Sequence, residues 1–274
     1  MDYDVGSGLT AIAPDLAPYL DGLPSTPVEL CAAVQGLVVL PDLAAGSGIP
    51  EERHDERSIR PASDILRALL ALDDRPIRRS REWSHRVVGT CRHLSVLSCA
   101  LLRHQGVPAR SRCGFASYFV PDRYVDHWVV EHRDPVDGRW VRVDPEVLGS
   151  TSVASPDDLA EGEFLTGGEA WTRCRRGEAD PARFGVDGHP DNWGIGEVRG
   201  NAVRDLAALN KVEVLPWDEW GRMPASYEGR TGPQYDALMD AIAATCASDD
   251  DDALRDLYAR EDLAAPSALV PPAG

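Results

Sequence analysis

Lysine is nearly missing from this 274-residue chain: Lys211 is the only one, and arginine supplies the rest of 28 basic side chains against 45 acidic ones. The resulting formal charge of −17 repels phosphate backbones, so no nucleic acid partner is expected. Also lacking is any apolar run near the ~20 residues that would span a bilayer, so no membrane partner is expected either. The opening stretch MDYDVGSGLTAIAPDL starts with acids and has neither the basic start nor the continuous apolar run of a secretory signal, which makes a cytoplasmic location the expectation. No C-x-x-C pair occurs among Cys31, Cys91, Cys99, Cys113, Cys174 and Cys246, which disfavours a structural zinc knuckle. With 43% hydrophobic residues the chain can build a core without disulfide staples, and most of these thiols should be buried as small hydrophobes. Internal repeats and sharp shifts of composition are absent too. Residues 1–274 therefore read as a single domain, with core motifs in 85–148, a C-terminal elaboration over 149–274, and a tail, 264–274, that is flexible or draped on the surface.

What is present begins with helices. In TPVELCAAVQGLVVL, Thr26 is placed as N-cap, Pro27 at the first helical position and Glu29 at the capping-box position. SDILRALLALDD offers Ser63 as cap and an apolar face of Ile65, Leu66, Leu69 and Leu70. The arginine-rich RPIRRSREW that follows reads as a solvated connector. A third helix starts near Thr90, carries Leu94, Leu97 and Leu101, and stops at Gly106 before Val107-Pro108. The period then changes: ARSRCGFASYF, DHWVVEHRD and GRWVRVDPEV predict an antiparallel meander, with turn residues from Pro135 to Gly138. Beyond Leu148 the chain reads as loop to about Gly200. NAVRDLAALNKVEVL restores helical spacing, and a last helix is expected after Ser248 with Asp249 to Asp252 in its first turn.

Cys91, within GTCRHLSVLSCALL, is the nucleophile candidate because free N–H groups and the dipole at a helix start favour a thiolate. Cys99 is ~12 Å further along the same helix, too far for a disulfide. Downstream, His127 opens one strand and Asp144 closes the next, and an antiparallel hairpin makes neighbours of two such positions. A thiol, an imidazole and a carboxylate so placed suit attack on an acyl carbon, proton relay and ring orientation, with the Cys91 N–H as an oxyanion donor.

Taken together, GTCRHLSVLSCALLRHQGVPAR, DHWVVEH and GRWVRVDPEV resemble the transglutaminase-like superfamily in its bacterial form, over roughly residues 85–148. The resemblance implies an α+β fold with a transglutaminase-like or papain-like core: N-terminal helices, a nucleophile helix packed on an antiparallel sheet, and a loop-rich plus helical C-terminal extension. It implies Cys91 as nucleophile, His127 as base and Asp144 as orienting acid. The activity implied is acyl transfer on an amide, ester or thioester carbonyl through a thioacyl enzyme, with a small-molecule, peptide or carrier-bound substrate. No cofactor or metal is implied, and no D-x-[DN]-x-[DN]-G loop is present for calcium. The alternative is a non-catalytic binding module of the same fold.

Further residues are weighed around that set. Trp83, through its indole N–H, is a candidate second oxyanion donor, and Trp128 could wall the acyl site. His93 is a candidate substrate contact, or a metal ligand with Cys91 and His127 in a rival metallohydrolase reading, although its helical offset from Cys91 is awkward for one ion. His132 is expected on the surface. GIGEVRGN, residues 194–201, lacks the dinucleotide spacing and reads as a glycine-rich turn capped by Asn201. Arg199, with Asn201 and Arg204, could there meet a carboxylate or another anion.

Overall fold

Local signals account for the first half of the chain. The structure, a computed structural model, describes residues 1–6, 8–45, 47–248 and 250–270. Helix α1 (Pro27–Gln35) starts as its sequence dictates, with the Thr26 hydroxyl oxygen accepting from the Glu29 N–H at 3.4 Å. A short strand β1 (Val38–Val39) and a one-turn helix α2 (Pro41–Ala45) follow. Helix α3 (Ala62–Leu72) is capped by Pro61 in extended conformation, so Ser63 is not its cap. Ser63 instead lies inside the first turn, where its hydroxyl accepts from Ala13 N (2.9 Å) and donates to Ala11 O (2.8 Å), tethering the N-terminal segment. The arginine-rich stretch is not simply solvated either: Ile77 is fully buried, and buried Arg81 donates to the carbonyls of Leu69 and Arg75.

Strand β2 (Val87–Val88) pairs in parallel with β1, Val38 opposite Val87, and delivers the chain to the start of α4 (Cys91–His104). Helix α4 is buried along almost its whole length and packs on strands β3 (Ala109–Ala116) and β4 (Tyr124–Arg133). The Ser95 hydroxyl pins it there, 2.8 Å from Val129 O, and Arg92 reaches across to the Glu213 and Arg60 carbonyls. Strand β5 (Trp140–Val143) completes the expected meander, with Glu131 opposite Arg142 and Val130 opposite Val143.

The stretch read as loop holds more structure than expected. Strand β6 (Phe164–Thr166) pairs with β3, and strand β7 (Phe184–Gly185) pairs with the start of β4, so the sheet runs β5-β4-β3-β6 with β7 alongside β4. Helix α5 (Gly167–Arg175) opens with a capping box, Thr166 N donating to Glu169 Oε2 at 2.7 Å and Glu169 N to the Thr166 hydroxyl at 3.3 Å. Helix α6 (Ile195–Leu209) begins six residues before Asn201, so the glycine-rich turn expected at 194–201 is largely helix. A short α7 (Met223–Tyr227) precedes α8 (Pro233–Cys246), a helix the sequence reading did not anticipate. The last helix, α9 (Asp251–Tyr258), is capped by Asp250. Asp249, expected in its first turn, lies outside the described residues, as do residues 271–274 of the expected tail. Nearer the helix, Ala265 and Leu269 of that tail lie against the core.

Two large apolar clusters dominate the described residues. One joins α1, α3 and α4 to the β4–β5 hairpin through Leu30, Leu69, Leu97 and Val130; the other joins α5, α6 and α8 to Phe115 and Phe184. Where sheet and α6 meet lies a buried ionic cluster. Glu131 accepts from Arg110 (2.7 Å), Arg112 (3.1 Å) and Arg142 (2.9 Å), while Arg112 also grips Asp205 of α6 with both ends of its fork (2.9 and 2.8 Å). Burial opposes the charge on Glu131, but the three guanidinium groups hold its carboxyl well below the usual range. This is the α+β architecture expected, with the helix that carries Cys91 packed against an antiparallel sheet. Among the described residues no helix is long and apolar enough to cross a membrane.

Candidate active site

Cys91 occupies the first turn of α4 because Gly89 and Thr90 shape what precedes it. Thr90 is the N-cap, and its N–H donates to His93 Nδ1 at 3.1 Å, so the histidine closes the cap from inside the helix. A Cβ on residue 89 would lie 2.8 Å from His93 Cγ and 3.0 Å from Val38 Cγ1, which is why this position carries glycine. His93 is fully buried; burial, then the charge of Arg92, drop its pKa to about 3. The ring expected to meet substrate or a metal therefore serves the helix start instead.

Half-buried, Cys91 packs against Cys113, Trp128 and Ala208. Burial pushes its thiol up, partly offset by a hydrogen bond and the charge of His127. A helix start alone thus does not make a standing thiolate here; the imidazole has to take the proton. His127 is 2% exposed and sits on β4 with Nε2 at 2.9 Å from Asp144 Oδ2. With Nε2 so engaged, Nδ1 is the nitrogen left for the thiol. Burial alone would lower the basicity of His127, but the charge and hydrogen bond of Asp144, then the thiol, raise its pKa well above the ordinary value.

Asp144 lies just past β5 and is fully buried. Its Oδ1 accepts from Glu146 N (2.9 Å), and its Oδ2 accepts from the Tyr118 hydroxyl as well as His127. Burial opposes its charge, yet His127 and these donors hold its pKa below the ordinary value. The ring of His127 is boxed edge-on by Phe119, 4.9 Å between centroids, by Tyr118 at 6.4 Å and by Phe164 at 6.5 Å. Tyr118 and Phe119 come from the β3–β4 connection, whose residues had drawn no functional reading.

A second residue was missed. The Glu146 carboxyl lies within 4.8 Å of ligand atoms on both Cys91 and His127. Its backbone carbonyl is held by Gln35 Nε2 at 2.9 Å, at the end of α1. The signal was in the register: carrying the β4–β5 pairing three positions beyond Val143 sets residue 146 opposite His127.

Other expected contacts fall elsewhere. Trp83 is 42% exposed in the turn Trp83–His85. Trp128 is fully buried with Cys91 packed on it, and its indole Nε1 has no hydrogen-bond partner among the described residues. Arg199 pairs with Asp236 at 2.8 Å and lies over the Trp171 and Tyr235 rings, inside the second cluster, so the anion site drawn around it is closed by its own neighbours. Asn201 donates to Asp126 (2.6 Å) and Gly114 O (3.0 Å) and accepts from Arg204 (3.0 Å), rather than capping a helix. His132, expected on the surface, is only 6% exposed; it lies between Ala109 and Val141 of the flanking strands, and burial lowers its pKa.

The site thus places a thiol at a helix start beside an imidazole and a carboxylate on an antiparallel sheet, the arrangement of the transglutaminase-like and papain-like fold. In agreement, the family model described as transglutaminase-like superfamily matches residues 74–145. Among solved structures, that of a presumed cysteine protease from Cytophaga hutchinsonii shares 18% identity, covering 52% of this chain and 48% of that one at a TM-score of 0.20. The chain therefore spans about half the length of that protein, and so loose a superposition carries no argument. No curated protein matches the chain.

Proposed function

We propose that the chain is a thiol acyl-transfer enzyme acting on an amide, ester or thioester carbonyl. His127 Nδ1 takes the proton from Cys91 Sγ as sulfur bonds to the acyl carbon, and the carbonyl electrons move onto oxygen. The Cys91 N–H, unpaired at the helix start, donates to that oxyanion. Collapse expels the amine, alcohol or thiol, which leaves with the proton returned by His127. Water or an amine then attacks the thioester by the reverse sequence. Asp144 keeps the imidazole in the tautomer with Nε2 protonated, and Tyr118 fixes the carboxylate. The single observation supporting this reading is the Asp144–His127 hydrogen bond at 2.9 Å with the thiol beside the same ring.

The test compares iodoacetamide alkylation of Cys91 at pH 6 in the wild type and in His127→Ala, with peptide mass spectrometry to follow all six cysteines. Wild-type Cys91 should react first, and the variant should slow it at least about tenfold. Intact mass after incubation with a panel of small-molecule, peptide and carrier-bound acyl donors should then show an adduct confined to Cys91. Equal alkylation rates in both proteins, with no adduct, would leave a binding module of the same fold.

A further inference from the structure

Cys91, His127 and Glu146 bring three different donor atoms, a sulfur, a nitrogen and an oxygen, within 4.8 Å of one another. The acyl-transfer sequence uses the first two and gives the third no task. We propose that these three side chains form a reversible zinc site that blocks the thiol.

The donor set is what a borderline ion such as Zn2+ takes: one thiolate, one neutral imidazole and one carboxylate, with a position left for water. Calcium and magnesium, which need oxygen ligands, are poorly served by it. Tetrahedral zinc with bonds of 2.0–2.3 Å sets its ligand atoms about 3.3–3.7 Å apart. The donors, within 4.8 Å of one another, must therefore close by about 1.5 Å at most, within the reach of side-chain rotation.

Asp144 already supplies the outer support that a zinc-bound histidine requires. It accepts the hydrogen bond from His127 Nε2–H at 2.9 Å, fixing the ring and leaving Nδ1 as the ligand atom. The Tyr118 hydroxyl and the Glu146 N–H hold that carboxylate in turn. Glu146 itself makes no side-chain hydrogen bond or ion pair among the described residues, so nothing has to be broken to recruit it. Cys91 and Glu146 are both partly exposed, which gives the ion and its fourth ligand a way in. On binding, Zn2+ replaces the proton on Sγ and any proton on Nδ1; both pass to solvent, and no oxidant or reductant is needed. The zinc trio first considered, with His93, is not this one: among the described residues the donor atoms that come together with Cys91 are those of His127 and Glu146, while His93 Nδ1 accepts from the Thr90 N–H.

Metal-free full-length protein, reduced and chelator-free, would be titrated with Zn2+ against a chromophoric zinc indicator, and separately with Co2+ to look for thiolate-to-metal charge transfer. One equivalent should bind, with the charge-transfer band present. Cys91→Ser should abolish the band, and Glu146→Gln should weaken binding at least about tenfold. Zinc should also protect Cys91 from iodoacetamide, reversibly on adding chelator. Unchanged affinity in Cys91→Ser would place the ion elsewhere and overturn the proposal; so would unchanged affinity in Glu146→Gln, which would reduce it to a thiol–imidazole contact. The outcome is separable from the acyl-transfer reading on which the blocking role rests. A His127-dependent thiol that binds no zinc sinks only the metal site, whereas zinc bound through all three residues at an unreactive thiol sinks only the enzyme.

Discussion

Two buried charge clusters share strand β4, four residues apart, and they are built on opposite terms. Around Glu131 each carboxylate is met by arginine: three guanidinium groups for Glu131, one of them also gripping Asp205. Around His127 there are carboxyls at Asp144 and Glu146 and a thiol at Cys91, with no arginine among them: Asp144 is met by His127, the Tyr118 hydroxyl and the Glu146 N–H, whereas the Glu146 carboxyl has no hydrogen-bond partner among the described residues. The first cluster ties the sheet to α6. The second leaves one carboxyl unspent beside a thiol. Low-dielectric surroundings penalise an unpaired charge, so the contrast separates a cluster that serves the fold from one that the proposed function assigns to ligands.

Breaking the first cluster should have the largest effect on stability. Glu131→Gln leaves buried Arg110 and Arg112 and half-buried Arg142 without their common carboxylate and should cost about 3–5 kcal/mol, read from the urea midpoint. The same group sets an acid limit. Because its folded pKa is lowered from 4.5, its contribution is complete above that value and is lost as pH falls through the folded one. Wild type should lose stability over that range, and Glu131→Gln should lose less. An unchanged midpoint would mean that the cluster is ornamental.

In the second cluster the loss should appear in reactivity instead. Asp144→Asn keeps the shape but offers His127 an amide in place of a carboxylate, so alkylation and acylation of Cys91 should slow at least about a hundredfold. Tyr118→Phe removes one of the donors to Asp144 and should slow the same steps about tenfold, comparable to a hydrogen bond to a charged group. A drop in Tyr118→Phe as large as that in Asp144→Asn would promote the tyrosine to a direct role.

Of the two clusters only the one around His127 drew a reading from the sequence, for a local reason. Cys91 opens α4 and Asp144 follows β5, and element ends announce themselves through caps, turns and changes of period; His127, read as opening its strand, is the fourth residue of β4. What stayed hidden depends on packing between distant segments. Glu146 needs the exact hairpin register, and Tyr118 sits in a connection with no pattern of its own. Helix α5 carried its Thr166–Glu169 capping box in plain view, yet Gly167-Gly168 in its first turn reads as loop. The structure explains the first of these: a Cβ on residue 167 would lie 2.2 Å from Asn201 C, so α5 and α6 can approach only over glycine. Ser63 likewise looked like a cap because its tether to Ala11 and Ala13 is fifty residues away in sequence.

The smallest effect is the most discriminating one. Glu131 and Glu146 are both glutamates in or beside the β4–β5 hairpin, and glutamine replaces either with little change of shape. Glu146→Gln breaks no side-chain bond among the described residues and removes only a poorly solvated acid beside Asp144. Stability should then stay within about 0.5 kcal/mol of wild type, or rise, in the same urea titration that registers a large loss for Glu131→Gln. A loss above about 1 kcal/mol would reveal a partner that closes around this carboxyl in solution and make the two clusters alike. Paired with an unchanged fold, the same substitution gives the zinc titration its clean arm, because any weakening of metal binding must then come from the missing ligand.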